Sequence, residues 1–103
     1  MEIKEYLTES GINPYRKWFN SLRDIKAKAR IETRLTRIAL GNLGDYKSIG
    51  DGVFELRFMF GSGYRIYFGI DGGSVVLLLV GGDKGSQQND IKNAQKYWSE
   101  YNA

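Results

Sequence analysis

The sequence predicts an α+β fold: an N-terminal helical hairpin packed on one face of a twisted antiparallel sheet of about four strands, followed by a C-terminal helix. Three changes of period carry the prediction. Apolar residues recur at helical spacing from Tyr15 to Ile38, alternate with a period of two from Val53 onward, and return to helical spacing from Ile91 to Tyr101. The chain has 103 residues, enough for one hydrophobic core, so residues 1–103 are read as a single domain.

Residues 2–8, EIKEYLT, alternate loosely around Ile3 and Tyr6-Leu7 and predict a short first strand. Asn13-Pro14 is a helix start, with Asn13 as cap and Pro14 at the first helical position. Tyr15, Trp18, Phe19 and Leu22 give that helix, over about residues 14–23, one apolar stripe. Asp24 caps a second helix whose buried face is Ala27, Ile31, Leu35 and Ile38, and Gly41 ends it. Lys26, Lys28, Arg30, Arg34 and Arg37 lie mostly off that face and read as a solvated surface. GNLGDYKSIGDG is turn material with a brief strand near Tyr46 to Ile49.

VFELRF then places Phe54, Leu56 and Phe58 on one face and Val53, Glu55 and Arg57 on the other. GSG connects to YRIYFGI, with Tyr64, Ile66, Phe68 and Ile70 on one face and Arg65, Tyr67 and Gly69 opposite. DGG is a hairpin turn. SVVLLLV is continuously apolar and suits a central strand buried on both faces. After the loop GGDKGSQQND, with Ser86 as its candidate cap, a last helix carries Ile91, Ala94, Trp98 and Tyr101 on its apolar stripe.

Composition narrows the chemistry. With no cysteine and no histidine, disulfides, thiolate or imidazole metal sites and the usual general base are excluded. Neither a metal nor a cofactor is expected. No apolar run approaches the roughly 20 residues that span a bilayer, and the first residues lack the apolar core of a signal peptide, so the cytoplasm is the default location and no membrane partner is expected. The net charge of +3 is a weak pointer to nucleic acid. Its placement says more. If helices cover only one side of the sheet, Glu55, Arg57, Arg65 and Tyr67 collect on the open side, Lys84 lies in a loop able to fold over it, and Lys47 reaches its rim. Converging cations suit a polyanion, and arginine adds bidentate phosphate geometry. The same spacing equally allows Arg57 to pair with Glu55 on a solvated face. GGDKGS is not a phosphate-binding P-loop, because the lysine does not directly follow the second glycine and the neighbouring strands are antiparallel.

Four segments in order, GVFELRF, GSGYRIYF, VVLLLVGGDKGSQ and DIKNAQKYW, resemble the addiction-module toxins of the RelE/ParE superfamily, in particular the phage-derived HigB-like killer branch. The linked set G-x-x-E-L-R, G-Y-R-x-Y-F and G-G-D-K-x-x-Q carries the resemblance, which covers nearly the whole chain. It implies a RelE-like fold and a toxin silenced by a co-encoded helix-turn-helix antitoxin. Freed, such a toxin cuts mRNA on the ribosome and arrests translation, so an endoribonuclease is expected. Arg57, Arg65 and Lys84 match the family's basic positions and are the expected catalytic residues. Lys47, Tyr67 and Gln87 are expected to contact RNA, and Tyr97 and Tyr101 are candidate acid/base phenols in place of the histidine found in some relatives. In such a mechanism the 2′-hydroxyl attacks the adjacent phosphate in line, Arg57 and Arg65 stabilise the phosphorane charge, and Lys84 moves a proton. Two other readings stand beside it: a ParE-like gyrase poison, and a non-catalytic module whose basic groove holds an acidic partner.

Overall fold

The computed structural model describes residues 1–103. The elements follow as β1 (Glu2–Glu5), α1 (Pro14–Ser21), α2 (Ile25–Ala39), β2 (Tyr46–Gly50), β3 (Val53–Arg57), β4 (Arg65–Asp71), β5 (Val75–Gly82) and α3 (Gln87–Tyr101), with a 3₁₀ turn at Lys84–Ser86 before the last helix. Both hairpin helices start where their caps predict. The Asn13 carboxamide accepts from Arg16 N–H at 2.9 Å with Pro14 behind it, and the Asp24 carboxylate accepts from Ala27 N–H at 3.1 Å. Asp83, rather than Ser86, does the side-chain capping ahead of α3. Its carboxylate accepts from Gly85 and Ser86 N–H, which closes the 3₁₀ turn and frees the Ser86 hydroxyl to bond Asp90.

The sheet has five strands in the order β1-β5-β4-β3-β2, and it is mixed rather than wholly antiparallel. β2 to β5 form an antiparallel meander, while β1 pairs with β5 in parallel, Ile3 opposite Val76. Parallel pairing needs a long crossover between strands, and the helical hairpin supplies part of it. A four-residue strand with weak alternation carries no signal of its direction, which is why the count of about four antiparallel strands falls short. The β4–β5 turn uses Gly72 (φ +61°) and Gly73 (φ +75°), the pair of left-handed residues that a two-residue hairpin turn requires.

The expectation of one uncovered face is also corrected. α1 and α2 seal one face, where Tyr15, Phe19, Ile31 and Ile38 pack on Leu56, Phe58, Ile66, Phe68, Val76 and Leu78. α3 crosses the opposite face, and Ala94 with the partly buried Ile91, Tyr97 and Trp98 packs on Tyr6, Val53, Tyr67, Leu77, Leu79 and Val80. A register shift between Tyr67 and Phe68 leaves Leu79 without a partner on β4, and so both Leu79 and Val80 serve this second core. Gly69 and Gly81 keep the sheet bare on opposite faces so that Trp98 and Trp18 can lie flat against it; a Cβ at either would run into the indole. No helix is long and apolar enough to cross a membrane.

Candidate functional site

α3 does not cover the whole of its face. Beyond its N-terminus, where β3 ends and β4 begins, Glu55, Arg57 and Arg65 lie on the side that α3 only partly shields. Arg57 and Arg65 are cross-strand partners, as are Glu55 and Tyr67. Two cations placed directly opposite repel, and a carboxylate between them offsets this. Glu55 is fully buried and gathers groups from four elements. Its Oε1 accepts from Arg57 Nε at 2.8 Å and lies 4.0 Å from Lys47 Nζ on β2. Its Oε2 accepts from Gln87 Nε2 at 3.1 Å and lies 3.7 Å from Arg65 Nε. Burial pushes the Glu55 carboxyl up, but the hydrogen bonds from Arg57 and Gln87 and the Arg57 charge outweigh it, so the pKa falls below the usual carboxylate range.

One carboxylate faces three cations, Lys47, Arg57 and Arg65, and leaves a net positive charge in the cluster. The three differ in reach. The Arg57 and Lys47 side chains are 47% and 54% exposed, whereas Arg65 is 11% exposed. Arg65 is fixed by its Nη1 donating to Gly63 O at 2.9 Å, and its buried Nε has no hydrogen-bond partner. Gly63 (φ +77°) also brings Lys84 to the cluster: a Cβ there would lie 3.4 Å from both Arg65 Nη1 and Lys84 Cβ. The Lys84 side chain is exposed, and its backbone N–H reaches toward Ser62 O in the β3–β4 loop.

The structure therefore brings Lys47, Arg57, Arg65, Lys84 and Gln87 to one end of the sheet. It does not bring the three tyrosines there. Tyr67 is on the expected face but fully buried beneath α3, and its hydroxyl has no hydrogen-bond partner. Burial, with the Glu55 charge beside it, pushes its pKa far up, so it stays neutral and out of reach of a nucleotide. Tyr97 stacks on Tyr6 with ring centroids 5.2 Å apart. Tyr101 donates to Asp71 Oδ2 at 2.7 Å, at the other end of β4 from Arg65 and so about 20 Å from it along the strand.

Two features escaped the sequence reading. Glu55 is the hub rather than a bystander; its spacing two residues before Arg57 put it on the right face, but nothing local signalled its burial. The other is the flank. Clefts of about 390, 270 and 120 Å³ adjoin this end of the molecule, and Arg57 lines all three. The smallest is lined by Asp45, Tyr46, Lys47, Glu55 and Arg57. The largest lies between Arg57, the Phe58–Phe60 segment and Arg30, Arg34 and Arg37 of α2. The i, i+4, i+7 spacing of those arginines was the available signal.

A largely buried guanidinium, a half-exposed one and two exposed ammonium groups at one end of the sheet make an electropositive surface, with Glu55 bonded to or near three of the four. Residues 17–98 match the model of the family described as "Phage derived protein Gp49-like (DUF891)". An uncharacterised protein of Haemophilus influenzae is 44% identical over 95 residues, covering 92% of this chain and 90% of its own. No solved structure matches. The chain belongs to the Gp49-like family of phage-derived proteins.

Proposed function

We propose that the protein is the toxin of a type II toxin–antitoxin pair, and that it cuts messenger RNA on the ribosome. The single observation that carries the reading is the cross-strand pair Arg57 and Arg65 braced by the buried Glu55, with Lys84 beside Arg65 across Gly63. Membership of a phage-derived family and the resemblance to HigB-like addiction-module toxins support it.

The chemistry follows from what these side chains do. The scissile phosphate sits against the Arg57 and Arg65 guanidiniums, which are aimed where charge develops as the 2′-hydroxyl attacks in line. Arg65 is held by Gly63 O and largely buried; Arg57 is tied to Glu55 through Nε, and its half-exposed guanidinium leaves its Nη groups open to the phosphate. As the new P–O2′ bond closes a 2′,3′-cyclic phosphate, the 2′-hydroxyl proton passes to solvent water, the P–O5′ bond breaks and Lys84, at the edge of the cluster, protonates the departing 5′-oxygen. Glu55 sets the distance between the guanidiniums and is a positioning residue. With no strong base in the cluster, the strand must be delivered in a reactive geometry, and the ribosome supplies that positioning. A co-encoded antitoxin, carrying acidic or apolar chain across this end, silences the site.

The test is primer extension on mRNA in a reconstituted translation reaction, with a gyrase supercoiling assay in parallel. Ribosome-dependent cuts that vanish in Arg57→Ala and Arg65→Ala, both verified as folded, are expected. Inhibited gyrase with intact mRNA would falsify the reading in favour of a ParE-like poison.

A further inference from the structure

The row Arg30, Arg34 and Arg37 is only partly accounted for by folding: Arg37 lies in the last turn of α2, where a cation suits the helix dipole, but like charges one turn apart repel. None of the three reaches a carboxylate: the ion pairs of the molecule are Glu5–Arg16 and those around Glu55. Arg34 is the structural member, with Nη2 donating to Asp45 O at 2.6 Å and Nη1 reaching Arg57 O at 3.5 Å. The Arg30 and Arg37 side chains are exposed and make no hydrogen bond to the protein. Across the cleft the wall is apolar. The Arg30 guanidinium lies 5.0 Å from the Phe60 ring centroid and that of Arg34 lies 5.7 Å from Phe58. Met59 between them is 94% exposed, the most exposed large apolar side chain in the molecule. Met59 thus projects from this segment while Phe58 and Phe60 on either side of it pack between the arginines and the hairpin-side core.

We propose that this cleft is a second RNA subsite, in which Arg30, Arg34 and Arg37 hold successive phosphates of a single strand and Met59 and Phe60 take an unstacked base. The subsite rests on the reading above, because the strand that it holds continues past Arg57 into the cluster with Arg65. Three points favour RNA over an acidic peptide. The cleft is continuous with the phosphate-binding cluster through Arg57, which lines both. Its arginines are spaced one helical turn apart, about 5.4 Å, a regular charge ladder that suits a regular polyanion. Its layered guanidinium and aromatic surfaces are those on which bases stack whatever their identity. A single strand fits better than a duplex because the base must turn in toward Met59 while the phosphates face α2.

The test is fluorescence anisotropy with a short labelled single-stranded 2′-O-methyl RNA, which 2′-hydroxyl attack cannot cut. Arg30→Ala with Arg37→Ala should weaken binding about tenfold and reduce the slope of log affinity against log salt by about two. Lys17→Ala with Lys96→Ala removes the same charge from exposed sites on α1 and α3 and should leave both nearly unchanged. Met59→Ala should cost a few-fold with no change in slope. Equal losses from the arginine and lysine pairs, no loss from the arginine pair, tighter binding of a duplex, or binding of a glutamate-rich peptide in place of RNA would each overturn the subsite. Ribosome-dependent cleavage is read in parallel. If RNA binding depends on Arg30 and Arg37 but wild type never cuts mRNA, the subsite stands and the nuclease reading falls. If cutting depends on Arg65 while RNA binding ignores Arg30 and Arg37, the subsite falls alone.

Discussion

The two faces of the sheet obey different rules. Under α1 and α2, every inward side chain of β3 and β4 is apolar, from Phe54 and Leu56 to Ile66 and Phe68. Under α3 the same strands begin apolar with Val53 and Tyr67, then turn charged at Glu55, Arg57 and Arg65. A face that only had to hold the fold together would stay apolar to its end, because burying a carboxylate with partial cation pairing is costly and often no better than a hydrophobic substitute. The first face is organised for stability; the far end of the second is organised for something that binds charge. Substitutions should separate the two roles.

The largest effect belongs to the apolar face. Phe68 is fully buried, stacks on Phe54 with centroids 5.6 Å apart and belongs to the larger core cluster. Phe68→Ala should cost about 3–5 kcal/mol in denaturant unfolding. A cost under 1 kcal/mol would mean that this face is not where stability lies. The charged end should show the reverse. Arg57→Ala strips the buried Glu55 carboxylate of its shortest hydrogen bond and should cost about 1–3 kcal/mol, less than Phe68→Ala, while lowering mRNA cleavage roughly 10²- to 10³-fold, the size of effect seen when one preorganised charge-stabilising group is lost. Large destabilisation with unchanged cutting would turn the comparison around.

The apolar face was legible in the sequence because its signals are local. Alternation in VFELRF and YRIYFGI assigned each side chain to its face, and Asn13-Pro14 and Asp24 placed the helix starts. The charged end was only half legible. Alternation put Arg57 and Arg65 on one face, but the coverage of that face depends on where α3 lands, and an apolar stripe does not say which surface it will meet. Tyr67 was therefore read as exposed when α3 buries it. The arginine row was read as solvated because part of its opposite wall, Met59 and Phe60, comes from the β3–β4 loop, past the alternation that placed Phe58. The parallel pairing of β1 is a long-range choice, invisible in four residues.

Glu55 and Arg65 give a third contrast. Glu55→Leu together with Arg65→Leu replaces a buried ion pair by apolar volume and should be neutral or stabilising by about 1–4 kcal/mol in urea, with cleavage lost. Glu55→Leu alone leaves Arg65 buried beside a leucine and should be clearly destabilising. If the double variant is as unstable as the single one, the charges at this end serve the fold and the division between the faces fails.

Tyr67 marks the boundary between the two regimes, and its effect is smaller. The hydroxyl is buried beside the Glu55 carboxylate without a hydrogen bond of normal geometry, so Tyr67→Phe should change stability at pH 7 by no more than about 1 kcal/mol. Its folded pKa is raised, by burial first and Glu55 second. The unfolded chain ionises near pH 10, so the contribution is complete below that pH and is lost progressively above it, as the unfolded state sheds a proton that the folded state keeps. Thermal melts across that range should show a shallower alkaline decline for Tyr67→Phe than for wild type. Tyr15, on the other face, is raised by burial in the same direction, Tyr6 and Tyr101 are raised as well, and together they contribute to the decline that remains.

Lys47 should give the smallest change of all and the most discriminating one. It lies on the edge strand β2, more than half exposed, with its ammonium 4.0 Å from Glu55 Oε1. An ion pair that long and that wet contributes little, and Lys47→Ala should move stability by no more than about 0.5 kcal/mol. If the cluster exists to hold phosphate, the same substitution should still lower the salt slope of RNA binding by about one, because one phosphate contact is gone. A residue neutral for folding and visible in the salt dependence belongs to the binding end of the face. Were the melting temperature to fall while the slope stayed fixed, Lys47 would instead be one more brace for Glu55, and the positive charge left over in the cluster would lose its best reason for being there.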